Sequence, residues 1–349
     1  MPPKIQSYTV AGHVFSLEMD AGSALWGLLR NYVPFRVETA APAAFSIKVG
    51  PSPNPATENI GPETARTGEQ RPFREQQPSR EQPPSREQPL YREQPPNREQ
   101  QPSREQPLYR EQQLYRDDPA PGAPRIDIFK TAGGGYRFEL TPSGRDPVAG
   151  MLLTARGFSE GHLLIEDPAC SEFCLNNALM LQYAFRTATE ATLEMHASVT
   201  VCDGKGYLFL GTSGTGKSTH SALWLRHIPG THLLNDDNPV VRVRDGVARV
   251  YGTPWSGKTP CYRNEDYPVG AIVRIRQAPR NAIRRLTVPE AVAVLSASCS
   301  GLKSIRSVGD GLFATIAAVV GGVPCYLLDC LPDREAAELC HRTVTEDGK

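Results

Sequence analysis

Apolar and polar residues alternate in short runs along the first part of the chain. His13 to Met19, Phe35 to Val37 and the Phe45, Ile47, Val49 series read as strands, and Ile126 with Ile128, then Tyr136, Phe138 and Leu140, repeat the pattern further on. A helix is predicted over Ser171 to Thr189, where Phe173, Leu175, Leu179 and Leu181 fall near helical spacing. Thr192 to Cys202 reads as a strand, Asp203-Gly204 as a turn, and Gly206 to Leu210 as a second strand. Strands and turns then dominate to Gln277, with a hairpin signal at Arg244-Asp245-Gly246. Helices return at Pro289 to Ala297, opened by its proline, and near Gly311 to Val320. The apolar stretch Leu312 to Leu328 is broken by Gly321-Gly322-Val323-Pro324. It therefore reads as a buried helix, a turn and a strand, and falls short of a membrane span.

Between Val49 and Ile126 this alternation gives way to a repeat. An arginine recurs at positions 74, 80, 86, 92, 98, 104, 110 and 116, and seven of the eight open an Arg-Glu-Gln unit. A period of six keeps no single face of an α-helix, and the prolines would break one. In polyproline II, with about three residues per turn, the arginines would share a face. Apart from Leu-Tyr pairs the block has little apolar surface to offset its ordering entropy, so it is expected to be disordered, in a loop between strands.

Composition agrees with that division. The 349 residues carry 32 prolines, ten of them within residues 61–118, and only 39% apolar residues. With 38 Lys+Arg against 38 Asp+Glu the net charge is zero, which excludes the basic footprint of a general nucleic-acid binder and gives no field for an anionic membrane. Met1 to Val10 lacks a charged segment followed by an apolar run, so no secretory signal is expected. The eight cysteines include no C-x-x-C pair, so neither a zinc site nor a redox motif is expected. A reduced, cytoplasmic location is the expectation.

The chemistry centres on Gly211-Thr212-Ser213-Gly214-Thr215-Gly216-Lys217-Ser218, which fits G-x-x-x-x-G-K-S/T. An apolar strand leads in and a helix-compatible run, His220 to Arg226, leads out. Glycines let the backbone wrap close to phosphate oxygens, and a helix N-terminus aims N–H groups at negative charge. Lys217 would reach the β/γ-phosphates, Ser218 would ligate magnesium, and Thr219 completes the expected nucleotide-binding set. Asp236-Asp237 ends the apolar run His232-Leu233-Leu234. Beside a phosphate loop this reads as a metal-and-base pair, whereas alone Asn235 to Pro239 would read as a turn. Tyr251 to Pro260 is a second glycine-rich loop holding Trp255, Ser256, Gly257 and Lys258. It either closes over phosphates or acceptor, with Lys258 countering developing charge, or is a Pro/Gly turn around a packed tryptophan. Arg263, Arg274, Arg276, Arg284 and Arg285 are read as a solvated face, and His196, one strand before the loop, as a structural or catalytic histidine.

The run from His196 to about Leu295 resembles the kinase domain of the HPr kinase/phosphorylase superfamily. It shares the His-Ala-Ser strand, the glycine turn, the G-x-S-G-x-G-K-S loop and an Asp-Asp pair about twenty residues on. Ser213 to Lys217 is also similar to the phosphate loop of phosphoenolpyruvate carboxykinases, and Leu234 to Pro239 with Tyr251 to Pro260 resembles an uncharacterised bacterial group of HPr-kinase-like proteins. The resemblance implies an α/β fold: an HPr kinase/carboxykinase-like P-loop nucleotide-binding core over residues 169–349, a mainly β N-terminal domain over 1–60 and 119–168, and the disordered repeat inserted over 61–118. It implies ATP and Mg2+ as cofactors and a phosphotransferase in which Asp236 is the base, Asp237 and Ser218 hold magnesium, and Lys217 and His196 assist. The expected partner is a small protein or peptide offering a Ser/Thr hydroxyl, with no nucleic acid or membrane, and a homo-oligomer is compatible with the fold. The bifunctional enzymes carry a metal-binding Glu in a further glycine-rich signature; Gly252 to Lys258 stands there instead, which argues against phosphorylase activity. A non-catalytic ATP sensor and a small-molecule kinase or carboxykinase-like enzyme are the alternatives.

Overall fold

Strand alternation carries the first half of the chain into one twisted sheet. The computed structural model describes residues 2–50, 111–116, 123–257 and 259–346, all within one unit; the repeat up to Arg110 and Lys258 lie outside the described residues. The strands of the first sheet are β1 (Pro3–Val10), β2 (His13–Asp20), β3 (Arg36–Val37), β4 (Phe45–Val49), β5 (Gln112–Tyr115), β6 (Arg125–Lys130), β7 (Tyr136–Thr141), β8 (Gly150–Thr154) and β9 (Glu160–Ile165). They are ordered β3-β1-β2-β4-β9-β8-β7-β6-β5. The pairs β2–β4 and β4–β9 are parallel; the others are antiparallel. Period-two burial is strict in β2, where His13, Phe15, Leu17 and Met19 are buried and the residues between them are less so.

The boundary of the repeat differs from the expectation. Gln112 to Tyr115, within the range assigned to the insertion, form the edge strand β5 on β6. The connection also joins β4 to a strand five places away and running in the same direction, so it is a crossover and not an enlarged hairpin loop.

Helix α1 (Ser171–Thr187) follows Asp167, whose side chain accepts from the Ala169 N–H and caps a short 3-10 turn. Cys174, Leu175, Ala178, Leu179 and Tyr183 are buried along α1, which touches β4, β8 and β9 and then leads into the second sheet. The domain boundary expected between residues 168 and 169 falls in the 3-10 turn Pro168–Cys170 that leads directly into α1.

The second sheet contains β10 (Thr192–Glu194), β11 (Ala197–Cys202), β12 (Lys205–Leu210), β13 (His232–Asp237), β14 (Val240–Arg244), β15 (Val247–Tyr251), β16 (Asp266–Gln277), β17 (Ala282–Arg285) and β18 (Cys325–Cys330). Its path is β10-β14-β15-β16-β12-β11-β13, with β18 on β16 and β17 on β18. The single strand expected over Thr192 to Cys202 is broken at His196, because β10 pairs with β14 whereas β11 pairs with β12 and β13. Alternation on the buried β12 feeds two cores. Tyr207 and Phe209 pack with α2 (Lys217–His227) and α5 (Arg334–Glu346). Leu208 and Leu210 join α3 (Val288–Ser298), α4 (Arg306–Gly322) and α1 in a cluster continuous with the first sheet. No helix among the described residues is long and apolar enough to cross a membrane.

Candidate functional site: a glycine loop, two aspartates and a histidine at one sheet edge

Topology brings the singled-out residues together. β11 is antiparallel to both β12 and β13, so the C-terminal ends of β12 and β13 and the start of β11 share one edge of the sheet. The glycine loop leaves β12 there, the Asp pair ends β13 there, and His196 immediately precedes β11. Ala197 stands opposite both Leu210 and Asp237, and Ser198 opposite Asp236.

The loop folds back on itself before α2 begins. Thr212 and Thr215 share a hydroxyl–hydroxyl hydrogen bond of 2.8 Å, and the Thr215 N–H donates to the Thr212 carbonyl at 3.1 Å. Gly214 and Gly216 have φ of +79° and +107°, and a Cβ at either would meet nothing within 4 Å. The loop thus has an open concave side and a backbone that L side chains rarely follow. Gly216 caps α2 without a side-chain acceptor, which leaves the first N–H groups of the helix for another partner.

Lys217 is buried, and its Nζ donates to the Gly211 carbonyl at 3.1 Å and lies 2.8 Å from His196 Nε2. With the ammonium donating, Nε2 accepts, and the Nδ1–H faces Asp237 Oδ1 at 3.1 Å. Burial pulls the Lys217 pKa below its ordinary value, opposed by Asp237 and Asp236. Burial works to raise the Asp237 carboxyl, but the hydrogen bond and charge of His196, together with Lys217, outweigh it and hold it below the usual carboxylate value. Ser218 Oγ donates to Asp236 Oδ1 at 2.9 Å. Asp236 is 3% exposed, whereas the Asp237 and His196 side chains are partly open to solvent. Asp236 stands beside Ser218, and Asp237 faces His196.

The second glycine-rich loop supports the Asp pair from behind. The Gly257 N–H donates to the Asp236 carbonyl at 2.6 Å, Ser256 Oγ donates to the same oxygen at 3.1 Å, and Ser256 pairs with Asp237 in a β-bridge. A Cβ on Gly257 would come within 3.1 Å of the Asp237 carboxylate. Trp255, expected in a substrate or phosphate loop, is instead 3% exposed: its Nε1–H donates to Tyr32 Oη at 2.9 Å and its ring packs on Phe15 and Tyr183. It anchors the loop in the core because an indole buries a large apolar area and its single donor finds a buried hydroxyl. Lys258 lies outside the described residues.

Three contributors escaped the sequence reading. Asn235 is fully buried, its Nδ2 donating to the Thr253 hydroxyl at 3.0 Å and the Trp255 carbonyl at 3.1 Å, while its Oδ1 accepts from the Asn238 N–H; it ties the two loops together. Gln277, at the end of β16, donates to the Gly214 carbonyl at 3.3 Å. Glu194, two residues before His196, is 1% exposed; burial pushes its carboxyl up to about 7, with Ser300 opposing and Asp237 reinforcing the shift. Arg274 and Arg276, read as a solvated face, line a polar cleft of about 420 Å3 beside Gly211 to Thr215. An adjoining cleft of about 560 Å3 reaches past Gly214 and Thr219 to Leu223, Ile275 and Leu331. That is within the size of ordinary small-molecule sites.

No family model matches this chain, and no curated protein matches it. Among solved structures, the Hpr(Ser) kinase/phosphatase from Coxiella burnetii is similar over 44% of this chain and 95% of that chain, at 13% identity and a TM-score of 0.27. A likeness at that level carries no argument about activity, and the functional reading rests on the geometry above.

Proposed function

We propose that this protein is an ATP- and magnesium-dependent phosphotransferase whose acceptor is a hydroxyl, a serine or threonine of a small protein or peptide. The observation that carries the reading is the 2.9 Å between Ser218 Oγ and Asp236 Oδ1 at the mouth of the glycine loop. Two neighbouring ligands of an octahedral magnesium ion, each about 2.05 Å from the metal, stand about 2.9 Å apart. The pair could therefore exchange its hydrogen bond for that ion without moving apart, and the uncapped start of α2 with the open side of the loop fits phosphate oxygens. Magnesium held by Ser218 and Asp236 would supply charge neutralisation on the phosphates.

The chain's own groups then divide the work. Lys217, next to the Gly211 carbonyl, meets the β- and γ-phosphates. Asp237 accepts the acceptor's hydroxyl proton, as the acceptor oxygen bonds to the γ-phosphorus and the bond from that phosphorus to the β–γ bridging oxygen breaks. His196 holds the Asp237 carboxylate in place through Nδ1 and links it to Lys217 through Nε2. This division reverses the roles that the sequence suggested for the Asp pair. The support is burial: a base must reach a macromolecular acceptor, and Asp237 rather than Asp236 is open to solvent. The polar cleft beside Arg274 and Arg276 suits the phosphates, and the adjoining cleft the nucleoside.

Cell extract incubated with Mg-ATP and either the wild-type protein or Asp237→Asn tests the reading by phosphoproteomics. The expected result is a small set of Ser/Thr phosphosites that appears only with the wild type, while Asp237→Asn still binds ATP and Lys217→Ala binds it weakly. Absence of Mg-dependent ATP binding by the wild type, or equal phosphorylation by Asp237→Asn, overturns it.

A further inference from the structure

At the far end of β11 and β12 from the glycine loop, three side chains with metal-binding chemistry meet. Cys202 ends β11, Asp203 opens the turn into β12, and His341 comes from α5, 139 residues away in sequence from Cys202. β12 spans six residues, about 20 Å, so this cluster is separate from the loop at the other end. Cys202 Sγ lies 3.8 Å from His341 Nε2, and one ligand atom from each of the three residues lies within 4.8 Å of the other two.

We propose that Cys202, Asp203 and His341 form a binding site for a borderline-soft divalent ion of the zinc class, clamping α5 to the β11–β12 turn. Zinc bonds of about 2.3 Å to sulfur and 2.05 Å to nitrogen place tetrahedral ligands about 3.6 Å apart. The observed 3.8 Å between thiol and imidazole is within a few tenths of an ångström of that spacing. Asp203 is exposed on a tight turn, at φ +49° before Gly204 at φ +70°, so its carboxylate can rotate the remaining distance without moving a strand. A thiolate, an imidazole and a carboxylate select zinc-class ions over magnesium or calcium, which take nearly all-oxygen shells. Water would fill the fourth position, on the solvent side where Asp203 sits. On binding, the Cys202 thiol releases its proton to solvent.

The surroundings orient the ligands. The His341 ring stands edge-on to Trp224 at 5.2 Å, which fixes the imidazole against α2. Cys202 is 2% exposed, held between this imidazole and the Pro229 carbonyl. The site thus has one buried soft ligand, one oriented nitrogen and one mobile oxygen. Neither ATP nor the Asp pair is involved, so the proposal stands or falls apart from the phosphotransferase reading.

Cobalt(II) alone is the probe. The full-length protein is stripped with a chelator and titrated with Co2+. A near-ultraviolet sulfur-to-cobalt charge-transfer band with tetrahedral visible bands, saturating at one equivalent and displaced by Zn2+, is expected. Cys202→Ser abolishes the charge-transfer band, and His341→Gln weakens Co2+ binding about tenfold or more. Zn2+ raises the melting temperature of the wild type more than that of His341→Gln. His341→Gln replaces a half-buried ring by a polar side chain of similar reach, and its metal-free melt, measured beside the wild type, separates lost metal binding from a folding defect. Absence of a thiolate band in the wild type, its survival in Cys202→Ser, or unchanged affinity in His341→Gln overturns the proposal.

Discussion

Asp237 has a φ of +127°, a backbone conformation that L side chains rarely adopt, at the end of β13, whose pairing with β11 already shifts register between Leu233 and Asn235. Such strain costs on the order of 1–3 kcal/mol and persists where the surroundings over-determine it. Here Ser256, Asn238 and His196 all hold the residue. Asp237→Gly and Asp237→Asn both lose the carboxylate that His196 and Lys217 face. Only the glycine removes the strain, offset by about 0.5–1 kcal/mol of unfolded-state entropy. The glycine variant should therefore be about 1 kcal/mol, or roughly 2 °C in melting temperature, more stable than the asparagine variant. A thermal melt of both variants checks this, and a lower melting temperature for the glycine variant contradicts it.

Glu194 makes a pH prediction at the same scale. Its folded-state pKa of about 7 lies above the ordinary value of 4.5. The folded protein therefore binds this proton more tightly than the unfolded chain does. The associated stability is fully present below pH 4.5 and is lost as pH rises towards and through 7, a swing on the order of 3 kcal/mol. Glu194→Gln should melt higher than the wild type at pH 8 and show no such advantage at pH 4.5; equal pH dependence in the two proteins counts against the burial argument. Neither residue was legible in this respect. Glu194 reads as one polar position in a strand, and the φ of Asp237 depends on a loop twenty residues away.

At the scale of elements, what could be read was local. The glycine-rich turn and the start of α2 were legible because both are contiguous: the positive-φ glycines and the helix start are encoded in eight neighbouring residues. The hairpin of β14 and β15 was legible from Asp245 and Gly246, both at positive φ in the structure. The break between β10 and β11 was not, because every position from Thr192 to Cys202 suits a strand. Only the choice of partners, β14 for one piece and β12 with β13 for the other, turns His196 out towards Lys217. Trp255 was likewise ambiguous, since a glycine-rich loop with one tryptophan does not disclose that Tyr32 and Phe15 stand ready to bury the ring.

On the scale of the whole molecule, the insertion is constrained by the sheet around it. From the end of β4 to the start of β5 a connection crosses five strand spacings and returns the length of a strand, roughly 30 Å, so about nine fully extended residues are the least that can bridge it. Replacing residues 54–110 with a Gly/Ser linker of about 20 residues should leave a cooperative melt, because loop-closure entropy changes only slowly with length. Replacing residues 50–111 with about five residues should pull β5 off β6. Hydrogen exchange at Gln112 to Tyr115 reads this directly, and equal protection in both variants would contradict the crossover.

The sequence by itself determined the alternation that makes strands, a glycine-rich turn ahead of a helix start, the adjacent Asp pair and the six-residue repeat. These are short-range properties, carried by propensity, periodicity and backbone freedom. Tertiary structure alone decided which aspartate faces Ser218, that His196 bridges Lys217 and Asp237, and that His341 reaches Cys202 from a distant helix. Each depends on strand order and helix packing. Those are settled by burying apolar faces across the whole chain, and no window of neighbouring residues contains that information.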